Sequence, residues 1–239
     1  MSNVDETDMV GTPERGMDPR YGSVELIDHM GDDLAIVNNA RQSFNKRSDE
    51  MTERDAGLIN FLMRERHGTP LEAVVFTFQL KMPIFVARQL MRHRMASYNE
   101  VSLRYTDAEE AMYTPDPSDV RRRVGKPGSY TYERVSNPLV AEGLADTIAA
   151  SNERAWMDYQ HLLRRGVASE LARTVLPLGT FTTMTMTLNL RSALNLLSLR
   201  SDSHAQLEIR ELADEMERQI ARIVPVAHKA FVANGRTAP

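Results

Sequence analysis

The chain has 239 residues, with 29 Lys and Arg against 33 Asp and Glu, for a formal net charge of −4. That length can bury a sizeable core in one large or two small domains, and the mild acidity argues against a general nucleic-acid binder, which would be basic. No cysteine is present, which excludes disulfides, thiolate metal sites and a cysteine nucleophile, and suits a cytosolic protein.

Residues 1–22 hold two prolines, three glycines and little apolar material, and predict a flexible arm ahead of one domain over 23–239. Their acidic, polar start lacks the basic head and apolar run of a secretory signal. No window approaches the roughly eighteen apolar residues of a spanning helix, so a cytoplasmic protein without membrane contact is expected.

"VELIDHM" (24–30) predicts a first strand and "DDLAIVNNARQSF" (32–44) a short helix. In "ERDAGLINFLMRERH" (53–67), Leu58, Phe61 and Leu62 fall at helical spacing with charges opposite. "EAVVFTFQLKM" (72–82) switches to period two: Val74, Phe76, Phe78, Leu80 and Met82 share one face, and Val75, Thr77, Gln79 and Lys81 the other. Pro83 suits the first position of a helix that runs on through "PIFVARQLMRHR".

Residues 114–130, with three prolines, two glycines and the triplet Arg121-Arg122-Arg123, predict an exposed loop. "PLVAEGLADTIAASNERAWMDYQHLLRRG" (138–166) predicts a long amphipathic helix, and "ASELARTVLP" (168–177) a second with Ser169 as N-cap. "FTTMTMTLNL" (181–190) alternates, with Met184, Met186 and Leu188 on the core face. From Ser192 almost to Gly235 the pattern is helical. Strands and helices intersperse without a regular βα period, which predicts an α+β fold with an antiparallel sheet packed with long helices.

No GxGxxG follows a strand and no Walker A motif occurs. The six histidines are scattered, and none pairs with carboxylates at metal-ligand spacing, so no metal site is expected. "RHRMASYNEVSLRY" (92–105) is the exception to an otherwise ordinary surface, with three arginines against one carboxylate. Gln89, Arg92 and His93 fall on one face of the expected helix, and cations at a helix end can simply complement its dipole. The donors that follow, Ser97, Asn99, Ser102 and Arg104, favour a different occupant. Arginine binds phosphate or a planar polar edge through two parallel hydrogen bonds, so a phosphorylated, nucleotide-like ligand satisfies both the excess charge and the directional donors.

Arg92-His93-Arg94 followed after seven residues by Ser102, with Asn99, Glu100, Arg104 and Tyr105, resembles the signature of the flavin-dependent thymidylate synthases. "ARQSF" (40–44), "HGTPLE" (67–72), "FTFQLKMPIFVARQLMRHR" (76–94), "ELARTVLPL" (170–178) and "LNLRSALNLLSLRSDSHAQLEIR" (188–210) resemble the same family in order and spacing. The likeness covers roughly residues 24 to 232. It implies an α+β homotetramer with sites shared between subunits. It also implies conversion of dUMP to dTMP with 5,10-methylenetetrahydrofolate as one-carbon donor and NADPH as reductant through bound FAD, without an enzymic cysteine.

By the same resemblance Arg92, His93 and Arg94 contact FAD, as do Thr69, Asn189, Arg191, Asn195 and Ser43, while His67 lies near flavin and folate. Gln89, Arg92, Ser102, Leu103 (through its backbone), Arg104 and Arg173 match dUMP contacts, and Glu100 a position touching both flavin and dUMP. Arg200 matches the arginine that polarises the uracil ring, where a fixed positive charge stabilises negative charge developing on the pyrimidine. Hydride then passes from reduced flavin to the pyrimidine, with no protein nucleophile.

Ala73 departs from the pattern, since many family members carry a histidine there. Structural readings stand beside the functional ones: Arg173 and Arg191 as surface ion pairs, Asn189 as an edge-strand polar residue, Asn195 as a solvent-facing helix residue. Ser102 as a nucleophile has no histidine placed to activate it. For Arg200 the structural partners would be Asp202 or Glu208. Two rival functions remain: a non-catalytic flavin- or nucleotide-binding protein of the same fold, and a single-stranded nucleic-acid binder, disfavoured by 6% aromatic content.

Overall fold

A computed structural model of the chain describes residues 16–127 and 129–239. The expected arm falls mostly outside them. Of its remainder, Pro19–Tyr21 form a 3-10 turn whose Tyr21 is buried. In chain order the elements are β1 (Ser23–Met30), α1 (Asp33–Arg41), α2 (Glu53–Arg64), β2 (Val75–Pro83), α3 (Ile84–Leu90) and β3 (Ser97–Glu100). Then come β4 (Arg121–Lys126), β5 (Ser129–Arg134), α4 (Pro138–Arg164), α5 (Ser169–Ala172), β6 (Phe181–Asn189), α6 (Leu190–Arg200), α7 (Leu207–Ile223) and α8 (Pro225–Ala233). The fold is α+β, as expected. The described chain divides into two compact units: one runs up to Lys81 and adds Gln89–Asn99 and Met184–Pro239, the other comprises Met82–Arg88 and Glu100–Thr183.

The larger sheet has the order β1-β2-β6-β3, with β1 and β2 antiparallel. Period two places its core as expected. Val74, Phe76, Phe78, Leu80 and Met82 are fully buried, and Met184, Met186 and Leu188 nearly so. Register slips in β1 between Leu26 and Asp28. Just before it, Gln219 of α7 accepts from the Leu26 N–H at 2.7 Å and donates to the Val24 carbonyl at 2.9 Å, satisfying backbone groups on the outer strand of the sheet.

Helix boundaries explain most departures from expectation. The face that α2 buries is Asp55, Ile59, Leu62 and Met63, while Phe61 is exposed. The helix expected to run from Pro83 through Arg94 ends at Leu90, and Arg92 and His93 lie in the turn after it. Tyr98 closes that turn, donating its hydroxyl to the Leu90 and His93 carbonyls at 3.0 and 2.9 Å, which a longer helix would have bonded internally. Burial pushes the Tyr98 phenol up to about 12, so it keeps the proton it donates.

Residues 168–177 hold only one turn of α-helix, and Ser169 is not its cap. The Ser169 hydroxyl bonds Asp107 Oδ1 at 3.1 Å instead. The helical run after Ser192 starts earlier, at Leu190, because Asn189 caps it by accepting from the Ser192 N–H at 2.9 Å. It then breaks at Ser201 and again at Val224, where Pro225 begins α8 without an N–H to continue α7. Buried Asp33 accepts from the Val226 and Ala227 N–H groups, both at 2.9 Å, and so caps α8.

The expected loop over 114–130 contains β4 and the start of β5, paired from Arg121↔Arg134 to Lys126↔Ser129. Neither strand buries an apolar residue, so no alternation marks them in the sequence.

Candidate functional site

Within the first unit the turn after α3 meets the end of α6. Buried Leu194, Leu196 and Leu197 anchor α6, so its last residue, Arg200, stands at the edge of an apolar element. Arg200 Nε donates to His93 Nε2 at 3.0 Å, and Nη2 reaches the Gln89 carbonyl more loosely at 3.4 Å. The Gln89 side chain donates through Nε2 to Gln206 Oε1 at 2.7 Å. Among the described residues neither Asp202 nor Glu208 is the partner of Arg200. Asp202 instead accepts from the backbone N–H of His204 and pairs with its ring, both at 2.8 Å.

An imidazole nitrogen that accepts a hydrogen bond is unprotonated, so the ring proton sits on Nδ1. Burial, and then the positive charge of Arg200, lower the His93 pKa to about 4, and the neutral ring is the form present at pH 7. Arg200 is half-buried, and among the described residues its partners are uncharged acceptors. Its charge therefore remains available to a ligand.

A second group surrounds the start of α6. Arg191 pairs with Glu72 at 2.7 Å and donates through Nε to the Pro239 carbonyl at 3.2 Å. Gly68 lies against this guanidinium: a Cβ there would come within 2.5 Å of Arg191 Nε. The Thr69 carbonyl accepts from Asn39 Nδ2 at 3.4 Å, and the His67 ring meets Phe61 edge-on at 5.7 Å. Thr69, His67, Asn195 and Ser43 are exposed, Ser43 in the 3-10 turn Gln42–Phe44. Arg92 and Arg94 are exposed as well.

The second unit assembles the remaining residues. Glu100 accepts from Thr182 Oγ1 at 2.6 Å. Ser102 starts a turn in which its carbonyl accepts from the Tyr105 and Thr106 N–H groups at 3.0 and 3.2 Å, with Leu103 half-buried inside it. Arg104 lies over the Tyr105 ring, 5.4 Å from its centroid, and reaches Glu170 Oε2 at 3.4 Å. Arg173 Nε donates to the Glu170 carbonyl at 3.2 Å. Glu170 thus engages both arginines. An exposed pair of this kind is worth under about 1 kcal/mol, so a phosphate can displace it.

Sequence reasoning missed Gln206, Glu170 and Thr182, each fixing a candidate residue from far along the chain, and Tyr98, which holds the His93 carbonyl from five residues away. Tyr98, Glu170 and Gln206, like Glu72 inside "HGTPLE", lie within the family-like segments, whereas Thr182 lies in none of them. Among the described residues no cluster of three or more His, Cys, Asp or Glu could hold a metal ion, and no helix is long and apolar enough to cross a membrane.

Residues 25–226 match the family described as thymidylate synthase complementing protein. The flavin-dependent thymidylate synthase of Tropheryma whipplei (strain TW08/27) is 40% identical over 240 residues, covering 93% of this chain and 98% of that protein. That of Thermosipho africanus is 42% identical over 211 residues, covering 88% and 91%. Among solved structures, the UMP/dUMP methylase PolB from Streptomyces cacaoi, bound with 5-Br dUMP, superposes with a TM-score of 0.84 at 41% identity, covering 91% of this chain and 97% of that one. The same methylase bound with 5-Br UMP matches equally well.

Proposed function

The chain belongs to the flavin-dependent thymidylate synthases, and on that premise we propose that it converts dUMP to dTMP with FAD, NADPH and 5,10-methylenetetrahydrofolate, in the cytoplasm, as a homotetramer. The observation that carries the site assignment is Arg200, a half-buried guanidinium oriented by His93 and Gln89 and neutralised by neither.

Arg200 is the catalytic residue of this reading. Its planar fork engages the uracil N3 edge and a carbonyl together, and stabilises the negative charge that develops as the pyrimidine attacks the methylene carbon. His93, as an acceptor, fixes the fork's direction. Gln89 and Arg92 bind the nucleotide beside it. Ser102, the Leu103 backbone, Arg104 and Arg173 hold its phosphate, which displaces Glu170 from Arg104. Glu100 touches dUMP and flavin.

The donor set suits a phosphate-bearing dinucleotide: exposed Arg92 and Arg94, and Arg191 positioned against Gly68 at the start of α6. Thr69, Asn189, Asn195, Ser43 and His67 complete the proposed flavin-binding set, with His67 also toward folate. Of these, Asn189 is the least free, since its oxygen already caps α6. When bound, the flavin supplies the hydride, so no nucleophile is asked of a chain without cysteine.

A test follows directly. The purified protein should be yellow and should form dTMP only when dUMP, NADPH and the methylene donor are all present. A colourless protein, or no turnover with all three, contradicts this function. A second substrate reading has an observation of its own, the equally good match to a methylase bound with a UMP analogue. It is tested by offering UMP and dUMP in competition and comparing kcat/KM.

A further inference from the structure

Strand β6 carries one polar residue on its apolar face. Its core-facing positions are Thr182, Met184, Met186 and Leu188, while Thr183, Thr185 and Thr187 occupy the half-buried face. Thr182 is only 6% exposed, and a hydroxyl taken out of water needs a hydrogen-bond partner. Packing alone would be served as well by valine, which has nearly the same shape without the polar atom.

The partner is Glu100, in the same compact unit. Strand β3 ends at Glu100 and is the outer strand beside β6. The Val101 N–H donates to the Thr183 carbonyl at 2.9 Å, which fixes the backbone where β3 ends. From the adjoining position Thr182 Oγ1 donates to Glu100 Oε1 at 2.6 Å, the short distance of a hydrogen bond strengthened by a carboxylate's charge. Glu100 is exposed, so water would satisfy its carboxylate if Thr182 did not. Its Oε2 has no hydrogen-bond partner among the described residues. With the backbone and one oxygen held, the other oxygen is left aimed in one direction.

We infer that Thr182 is a positioning residue of the proposed reaction: its hydroxyl holds Glu100 Oε1 so that Oε2 meets the nucleotide already ordered. A carboxylate only accepts hydrogen bonds, so Oε2 engages a donor of the nucleotide, a sugar hydroxyl or a ring N–H, and not its phosphate. The inference rests on the reading above that Glu100 touches dUMP, and adds the residue that aims it.

Calorimetric titration of the purified, flavin-loaded protein with dUMP tests it in Thr182→Ser, Thr182→Val and Thr182→Ala. Serine keeps the hydroxyl and should bind as the wild type does. Valine and alanine lack it, and each should raise the dissociation constant by about three- to tenfold, because dUMP must then immobilise the Glu100 side chain itself. A packing role predicts a different order, set by size, with valine nearest the wild type and alanine farthest. That order overturns the inference, as does wild-type affinity in both the valine and alanine variants. In a Glu100→Ala background, Thr182→Val should weaken binding no further, since its effect runs through the missing carboxylate. An added loss there also overturns the inference. Each of these results leaves the proposed function standing, whereas a wild-type protein that does not bind dUMP overturns both.

Discussion

Arg200 donates its Nε–H to the unprotonated Nε2 of His93 at 3.0 Å. The bond exists only while the imidazole is neutral, because a protonated ring would present a donor and a like charge to the guanidinium. The folded-state pKa of about 4 lies below the ordinary 6.5, so between these values the unfolded chain binds the proton and the folded chain does not. The stability contributed by neutral His93 is therefore fully present above about pH 6.5 and is lost as pH falls toward 4. Histidine-detected NMR should show His93 titrating near 4, with the proton on Nδ1 above that point. A midpoint near 6.5 would remove the hydrogen bond from this account.

Gly68 gives a test of the proposed flavin group. A methyl at this position collides with Arg191 Nε and Cδ, at 2.5 and 2.8 Å, so Gly68→Ala must push the guanidinium aside and break its pair with Glu72. That pair is exposed and worth under about 1 kcal/mol, so the melting temperature should shift little. Flavin content, measured as the absorbance ratio of purified protein, should fall severalfold. Full flavin retention would show that Arg191 does not hold the cofactor.

What was legible in the sequence, and what was not, divides by the range of the interactions. The alternation in β2 and β6 identified the buried faces because each residue's environment is set by its own strand. The signature identified residue types suited to phosphate and to a polar base edge. The end of α3 was hidden, since Arg92 and His93 continue the helical spacing and the hydroxyl that closes the turn comes from Tyr98. The partner of Arg200 was hidden for a related reason. Asp202 and Glu208 are near in sequence, but His93 is 107 residues away, and no local pattern encodes that pairing. The β4–β5 hairpin lacked an apolar face to betray it.

Complementation tests the sharing of sites between protomers. Gln89 and Arg200 belong to one compact unit, and Ser102 and Arg104 to the other. If each site takes one set from each of two chains, Arg104→Ala and Arg200→Ala proteins should both be inactive alone. Mixed and allowed to exchange subunits, they should recover up to roughly a quarter of wild-type turnover, the statistical share of sites with neither defect. No recovery despite demonstrated exchange would place both residues of a site in one chain.

The most direct test of the central claim is the turnover of Arg200→Lys. Lysine keeps the positive charge but not the planar fork, and it loses the Nε donor that engages His93. Fold and flavin content should be unchanged, as judged by melting temperature and visible absorbance. The kcat for dTMP formation should fall by about 100-fold or more, the size typical of losing one transition-state donor. A variant that forms dTMP at near wild-type rate would contradict the catalytic assignment and leave the Arg200–His93 bond as a structural feature alone.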